Sequence, residues 1–165
     1  MKTLLKTFAI LFISLVTTSC NNDDDDNSTN QIPSTSTDFI RCKIDGVAFE
    51  ATGANIIADQ NEIAFNMNSD VRSGGIGMDF SFFGQAAVGT YTVNPSNLTS
   101  VGRLQYRSPD IYSTGVCAGS NGTLIITSKN GNTIEGTFNF SGKKIALCGE
   151  PAKVITEGTF RITLL

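Results

Sequence analysis

Gly122-Thr123-Leu124-Ile125-Ile126-Thr127-Ser128-Lys129-Asn130-Gly131-Asn132-Thr133-Ile134-Glu135-Gly136-Thr137-Phe138-Asn139-Phe140 is the stretch that decides the fold. Leu124 and Ile126 share one strand face, with Thr123, Ile125 and Thr127 on the other, before a Gly/Asn cluster, and Ile134, Phe138 and Phe140 alternate with polar residues or glycine after it. A period of two is that of a half-buried strand, and two such runs around a turn signal form an antiparallel hairpin. Its register can be weighed. A two-residue Asn130-Gly131 turn is the strongest short hairpin signal, yet it would set Leu124 opposite Thr137 and Ile126 opposite Glu135, mixing the faces. A three-residue loop, Asn130 to Asn132, sets Leu124 opposite Phe138, Ile126 opposite Gly136 and Ser128 opposite Ile134. The buried face governs register, so the expectation is an odd-length loop with a residue near the left-handed region.

The same period runs outward in both directions. Ile40, Cys42 and Ile44 share a face opposite Arg41 and Lys43, and Asp45-Gly46 turns the chain into Val47-Ala48-Phe49. Ile63, Phe65 and Met67 alternate with Asn66 and Asn68; Ile76, Met78, Phe80 and Phe82 alternate with Asp79 and Ser81. Shorter runs follow at Thr90 to Val93, Leu104 to Tyr106 and Val154 to Leu164. No stretch holds a helical period. Four segments read Gly-Thr-large apolar, beginning at Gly89, Gly122, Gly136 and Gly158, and the last two extend to Glu-Gly-Thr-Phe. Gly136 shares a face with Ile134 and Phe138, and Gly158 with Thr156, Phe160 and Ile162. Glycine on an inward face leaves room for a facing ring or lets a sheet coil. Residues 39–165 are therefore expected to form one all-β domain, an antiparallel β-sandwich or partly open barrel built from consecutive hairpins.

The first nineteen residues read differently. Lys2 and Lys6 precede the apolar run Phe8 to Val16, and Thr17-Thr18-Ser19 leads to Cys20. Basic residues, an apolar stretch and small residues in that order make a secretory signal; the run is too short to span a bilayer, which takes about 20 residues. The Ser19-Cys20 ending resembles the lipobox of bacterial lipoproteins, with Thr17 standing where leucine is usual. That resemblance implies acyl chains on Cys20, which at about 0.8 kcal/mol per buried methylene would hold the protein on a membrane. Residues 20–38 form an acidic tether with almost nothing apolar, as expected of a coil spanning roughly 20–25 Å. Asp23 to Asp26 resemble the acidic export run of Bacteroidota lipoproteins. The implied address is the cell envelope, on the outer membrane and surface-exposed, with its periplasmic face as the alternative.

Charge and composition exclude several classes. Residues 39–165 hold ten basic and ten acidic side chains, so no basic stripe exists for nucleic acid. The chain has no histidine, which removes Ser-His-Asp and Cys-His hydrolysis and histidine zinc sites. No cofactor and no metal site is expected. Asp79, Asp110 and Glu135 could meet as glycosidase carboxylates, but the chain has no tryptophan for sugar stacking, and an enzyme is the lesser reading. Cys42 falls on an apolar strand face as a buried free thiol. Cys117 and Cys148 both sit in Gly-rich loops and form the candidate disulfide. Arg103, Tyr106, Arg107 and Tyr112 lie close together in sequence as a possible patch for a glycan or protein ligand.

The region after the tether resembles a β-rich domain of unknown function found in Bacteroidota lipoproteins. The residues that carry the likeness are Cys42 to Phe49, Gly89-Thr90-Tyr91, Gly122 to Thr127, Glu135 to Phe140 and Glu157 to Phe160. It implies an envelope lipoprotein and no particular reaction. A surface binding or scaffolding module and a purely structural envelope protein both fit.

Overall fold

The computed structural model describes residues 38–69 and 76–165; residues 1–37, with the expected leader, Cys20 and tether, lie outside that range. Eleven antiparallel strands make up the domain: β1 (Phe39–Ile44), β2 (Val47–Thr52), β3 (Ile56–Gln60), β4 (Ala64–Ser69), β5 (Gly77–Phe83), β6 (Gly89–Val93), β7 (Gly102–Ser108), β8 (Asp110–Ser113), β9 (Asn121–Asn130), β10 (Thr133–Lys144) and β11 (Lys153–Thr163). The described residues contain no α-helix, only two 3-10 turns. The sheet runs β2-β1-β11-β10-β8-β7-β5-β4-β3, and β9 and β6 branch from β10. Strand β10 makes the branch possible through its length. Its residues Thr133 to Ser141 pair with β9, whereas Lys143 and Lys144 pair with Ser113 and Tyr112 of β8. The result is an all-β, antiparallel sheet nearly closed into a barrel.

Closure is completed at the C-terminus. Leu165 donates its N–H to the carbonyl of Ala58 (3.2 Å) and accepts from the N–H of Gln60 (3.3 Å), drawing the end of the last strand against β3. Side chains from both halves then meet inside. Phe80 packs edge-on against Phe138 (centroids 4.8 Å apart), and Tyr91 packs against both Phe65 (5.6 Å) and Phe82 (5.3 Å). Ile40, Leu104, Leu124, Ile134, Ile155 and Ile162 complete a core sealed from water. Each such side chain contributes about 1.5–3 kcal/mol by its burial.

The hairpin at residues 130–133 corrects the expected loop. Its turn is two residues, Gly131 and Asn132, with Asn130 paired to Thr133. Gly131 alone in the turn has positive φ (+58°), the sign pattern of a type II′ turn. Ser128 therefore faces Glu135 instead of Ile134. A bulge on β9 at Thr127 then restores parity, so Leu124 faces Phe138 and Ile126 faces Gly136 as the buried face requires. The face sets the register, and the strand supplies the odd residue in place of the loop.

A second bulge shifts β11. Phe138 faces Gly158 but Phe140 faces Ile155, so Thr156 and Glu157 stand against the single residue Asn139. Glu157 adopts φ +53°. Ile155, not Thr156, therefore points into the core. Ile63 and Ile76 also depart from the expected alternation: each lies one residue outside its strand and is exposed.

Two of the repeated Gly-Thr-Phe segments lie side by side. Gly136 faces Phe160, Thr137 faces Thr159 and Phe138 faces Gly158, so each glycine sits opposite the other segment's ring. A Cβ on Gly136 would lie 1.9 Å from the Ile125 carbonyl oxygen and 2.8 Å from the Phe160 ring. One on Gly158 would lie 2.3 Å from the Phe138 carbonyl oxygen. The obstacle is backbone, which cannot step aside as a side chain can. Gly136→Ala should lower stability by about 3 kcal/mol in urea unfolding, at the upper end of overpacking costs. Gly131→Ala meets open space and should cost only the left-handed backbone penalty of about 1–2 kcal/mol.

Candidate functional site

Strand alternation takes the sequence-marked patch apart. Within β7, Leu104 and Tyr106 point into the core, whereas Arg103, Gln105 and Arg107 point the other way. Tyr106 is buried and stacks on Tyr112 of β8, ring centroids 5.9 Å apart. Arg107 is ion-paired to Asp79 on the neighbouring β5. Arg103 and Arg107 are half-buried on that outer face. No single surface carries the two arginines together with the two tyrosines.

Tyr106 instead helps to form a mouth at one end of the barrel. A cavity of about 260 Å³ is lined by Ile44, Asp45, Val47, Ala48, Phe49, Ile76, Tyr106 and Lys153. Its geometry starts from the β1–β2 turn. Asp45 (φ +48°) and Gly46 (φ +85°) are both left-handed, as the two central residues of a type I′ turn must be. That turn places the Asp45 carboxylate beside β11, where it accepts from Lys153 Nζ (2.6 Å) and from the Val154 N–H (2.9 Å). The lysine in turn stands 6.0 Å from the centre of the Tyr112 ring. The mouth thus has apolar walls and one ion pair at its lip. Its volume lies below the roughly 300 Å³ at which small-molecule pockets begin, so it suits one ring or one side chain of a larger partner. A neighbouring groove along Arg41, Lys43, Glu50 and Glu157 is bridged by its own ion pairs, Arg41–Glu50 and Lys43–Glu157.

Sequence reading missed most of these lining residues. Ile44, Val47 and Phe49 come from one hairpin, Ile76 from just before β5, Tyr106 from β7 and Lys153 from β11. The one available signal was Asp45-Gly46, which fixes where the hairpin tip turns.

The three candidate carboxylates do not converge on one another. Asp79 is paired with Arg107, Asp110 with Lys144 (2.9 Å) and Glu135 with Arg161. Glu135 stands near the start of β10 and Lys144 at its end, so the last two pairs lie at opposite ends of one strand. Among the described residues no group of three or more His, Cys, Asp or Glu side chains could hold a metal ion. No helix there is long and apolar enough to cross a membrane.

Cys117 and Cys148 form a disulfide with their Cα atoms 5.3 Å apart, 31 residues distant in sequence. It ties the loop after β8 to the loop after β10, where Cys117 Sγ also lies 3.6 Å from the Lys144 carbonyl oxygen. Cys42 is a buried free thiol, and desolvation pushes its pKa up to about 12. Cys20 lies outside the described residues.

Fold and mouth together define an all-β, nearly closed antiparallel barrel with a small apolar opening at one end. The chain matches the family described as a domain of unknown function, DUF6252, over residues 36–162, and it belongs to that family. No curated protein and no solved structure matches it.

Two outcomes follow from this geometry. The double variant Cys117→Ser, Cys148→Ser should lose about 3–4 kcal/mol in urea unfolding, while Cys42 should resist alkylation in the folded protein at mildly alkaline pH because its thiolate is scarce. The second concerns acid. The hydrogen bond from Lys153, with that from the Val154 N–H, holds the Asp45 carboxyl below its ordinary value. The same partner holds Lys153 above its own. A depressed carboxyl stabilises the fold fully above the unfolded value of about 3.9 and loses that contribution as pH falls through the folded one. Asp45→Asn, which tolerates the same backbone, should be less stable than wild type at neutral pH, and the gap in urea midpoints should close on acidification.

Proposed function

We propose that this protein is a lipid-anchored envelope module that displays a small apolar mouth to a glycan or protein partner at the cell surface, without catalysis. The observation that carries the binding part is the mouth itself, in which Phe49, Ile76 and Tyr106 leave an unfilled apolar space beside the Asp45–Lys153 pair. A partner's ring or apolar side chain fills such a space, and hot spots are commonly anchors of this kind. The anchoring part rests on the order Lys2, Lys6, the apolar run and Ser19-Cys20, and on where the domain receives the tether. Asp38 joins β1 at the end remote from Ile44, so β1's six residues at about 3.3 Å each separate the point of attachment from the mouth. An opening on the far side from its anchor is free to meet a partner. The absence of catalysis is supported by Asp79, Asp110 and Glu135, each neutralised by its own cation.

The test is metabolic labelling of the full chain with an alkynyl fatty acid in intact cells, combined with protease shaving. The protein should carry the label, fractionate with membranes and be cleaved from outside, and Cys20→Ala should lose both label and membrane association. An unlabelled, soluble wild-type protein would refute anchoring; a labelled protein that resists shaving until the outer membrane is opened would place the mouth in the periplasm.

A further inference from the structure

The end of the barrel that receives the tether carries its own apolar rim. Ile63 is 74% exposed, Phe83 54%, Val88 62% and Leu165 86%. Hydrogen bonds tie the segments that bear them into one continuous edge. The Gly84 N–H donates to the Ile63 carbonyl (2.7 Å), and the Gln60 N–H to the Leu165 carbonyl (3.3 Å). The Ala86 N–H donates to Gln60 Oε1 (2.9 Å), and Lys129 Nζ to the Ala86 carbonyl (2.8 Å). The tether joins the same edge: Asp38 accepts from the Thr163 N–H (3.0 Å) and from its hydroxyl (3.1 Å), two residues before Leu165. Residues 83–88 contain no charged side chain, and Glu62 is the one carboxylate in the adjoining turn. The mouth end also exposes Val47, Ile76 and Val154, but there they stand with the Asp45–Lys153 ion pair.

We propose that the rim of Ile63, Phe83, Val88 and Leu165 seats in the interfacial layer of the bilayer that holds the acyl chains of Cys20. The proposal rests on the anchoring reading above. The 17 residues between Cys20 and Asp38 reach no farther than about 60 Å at full extension, so the tether keeps this end of the barrel at high effective concentration over the lipid surface. Exposed phenylalanine and aliphatic side chains partition into the boundary between headgroups and acyl chains. Rim contact would fix the domain upright with its mouth directed outward, where the acyl chains alone fix only its distance.

The chain has no tryptophan, so one introduced indole is a unique reporter. Full-length acylated Phe83→Trp and Val47→Trp proteins are reconstituted on phosphatidylethanolamine–phosphatidylglycerol vesicles, with and without lipids brominated near the headgroup end of the chain. The indole at position 83 should emit farther to the blue on vesicles and be quenched about twofold by the brominated lipids, the depth expected of an interfacial side chain, while the one at position 47 is not quenched. Val88→Trp should repeat the result and covers the case in which Phe83→Trp folds poorly. Protein that floats with the vesicles but shows equal quenching at both ends overturns the rim contact and leaves the anchor standing. A blue shift without lipid quenching means that a second copy covers the rim, which also overturns it. Protein that neither carries acyl mass nor floats removes the anchor, and the rim contact with it.

Discussion

The exchange of glycine for ring between β10 and β11 is the constraint on which the rest of the barrel depends. Antiparallel pairing sets Gly136 against Phe160 and Phe138 against Gly158, and neither glycine has room for one more carbon. The missing side chains let both rings lie close over the opposite backbone. There Phe138 meets Phe80 from the other half of the barrel. The motif is self-complementary: two copies of Glu-Gly-Thr-Phe running in opposite directions pair each bulky position with an empty one. The flanking charges match as well, since Glu135 falls opposite Arg161 and pairs with it.

From that pair of strands the two ends of the molecule acquire different characters. Strand β10 is long enough to serve β9 along most of its length and β8 at its tip, so the sheet forks and curls around the aromatic core. Toward the tip of β10 lies the end with the disulfide and a small apolar opening, which carries the Asp45–Lys153 pair at its lip. At the start of β10, Leu165 and two turns form an edge rich in exposed apolar side chains beside Asp38. The point where the chain enters β1 and the small opening therefore fall at opposite ends of the barrel.

Much of this architecture is legible in the sequence because period-two alternation is a local property. Leu124, Ile126, Phe138 and Phe140 declare their face without knowledge of distant residues, and the family match covers the same region, residues 36–162. Bulges are not local in that sense. Thr127 and Glu157 each shift parity by one residue, and nothing in their side chains marks them beforehand. Strand ends are equally silent: Ile63 and Ile76 continue the alternation on paper, yet the pairing stops one residue short of each. The candidate site suffered most. Arg103, Tyr106 and Arg107 are neighbours in the chain, but a pleated strand sends the tyrosine inward and the arginines outward. The mouth itself is assembled from segments over a hundred residues apart, between Ile44 and Lys153, which only the closed sheet brings together.

The pairing of β1 with β11 has a consequence for how the chain folds. Phe39 sits beside Arg161 and Ile44 beside Ile155, so β1 lacks one of its two neighbours until β11, over a hundred residues further along the chain, is in place. Such long-range closure is slow, because chain entropy opposes it before any contact rewards it. A chain emerging from its amino end therefore cannot lock prematurely into its final shape. The barrel can close only once β11 has joined β1.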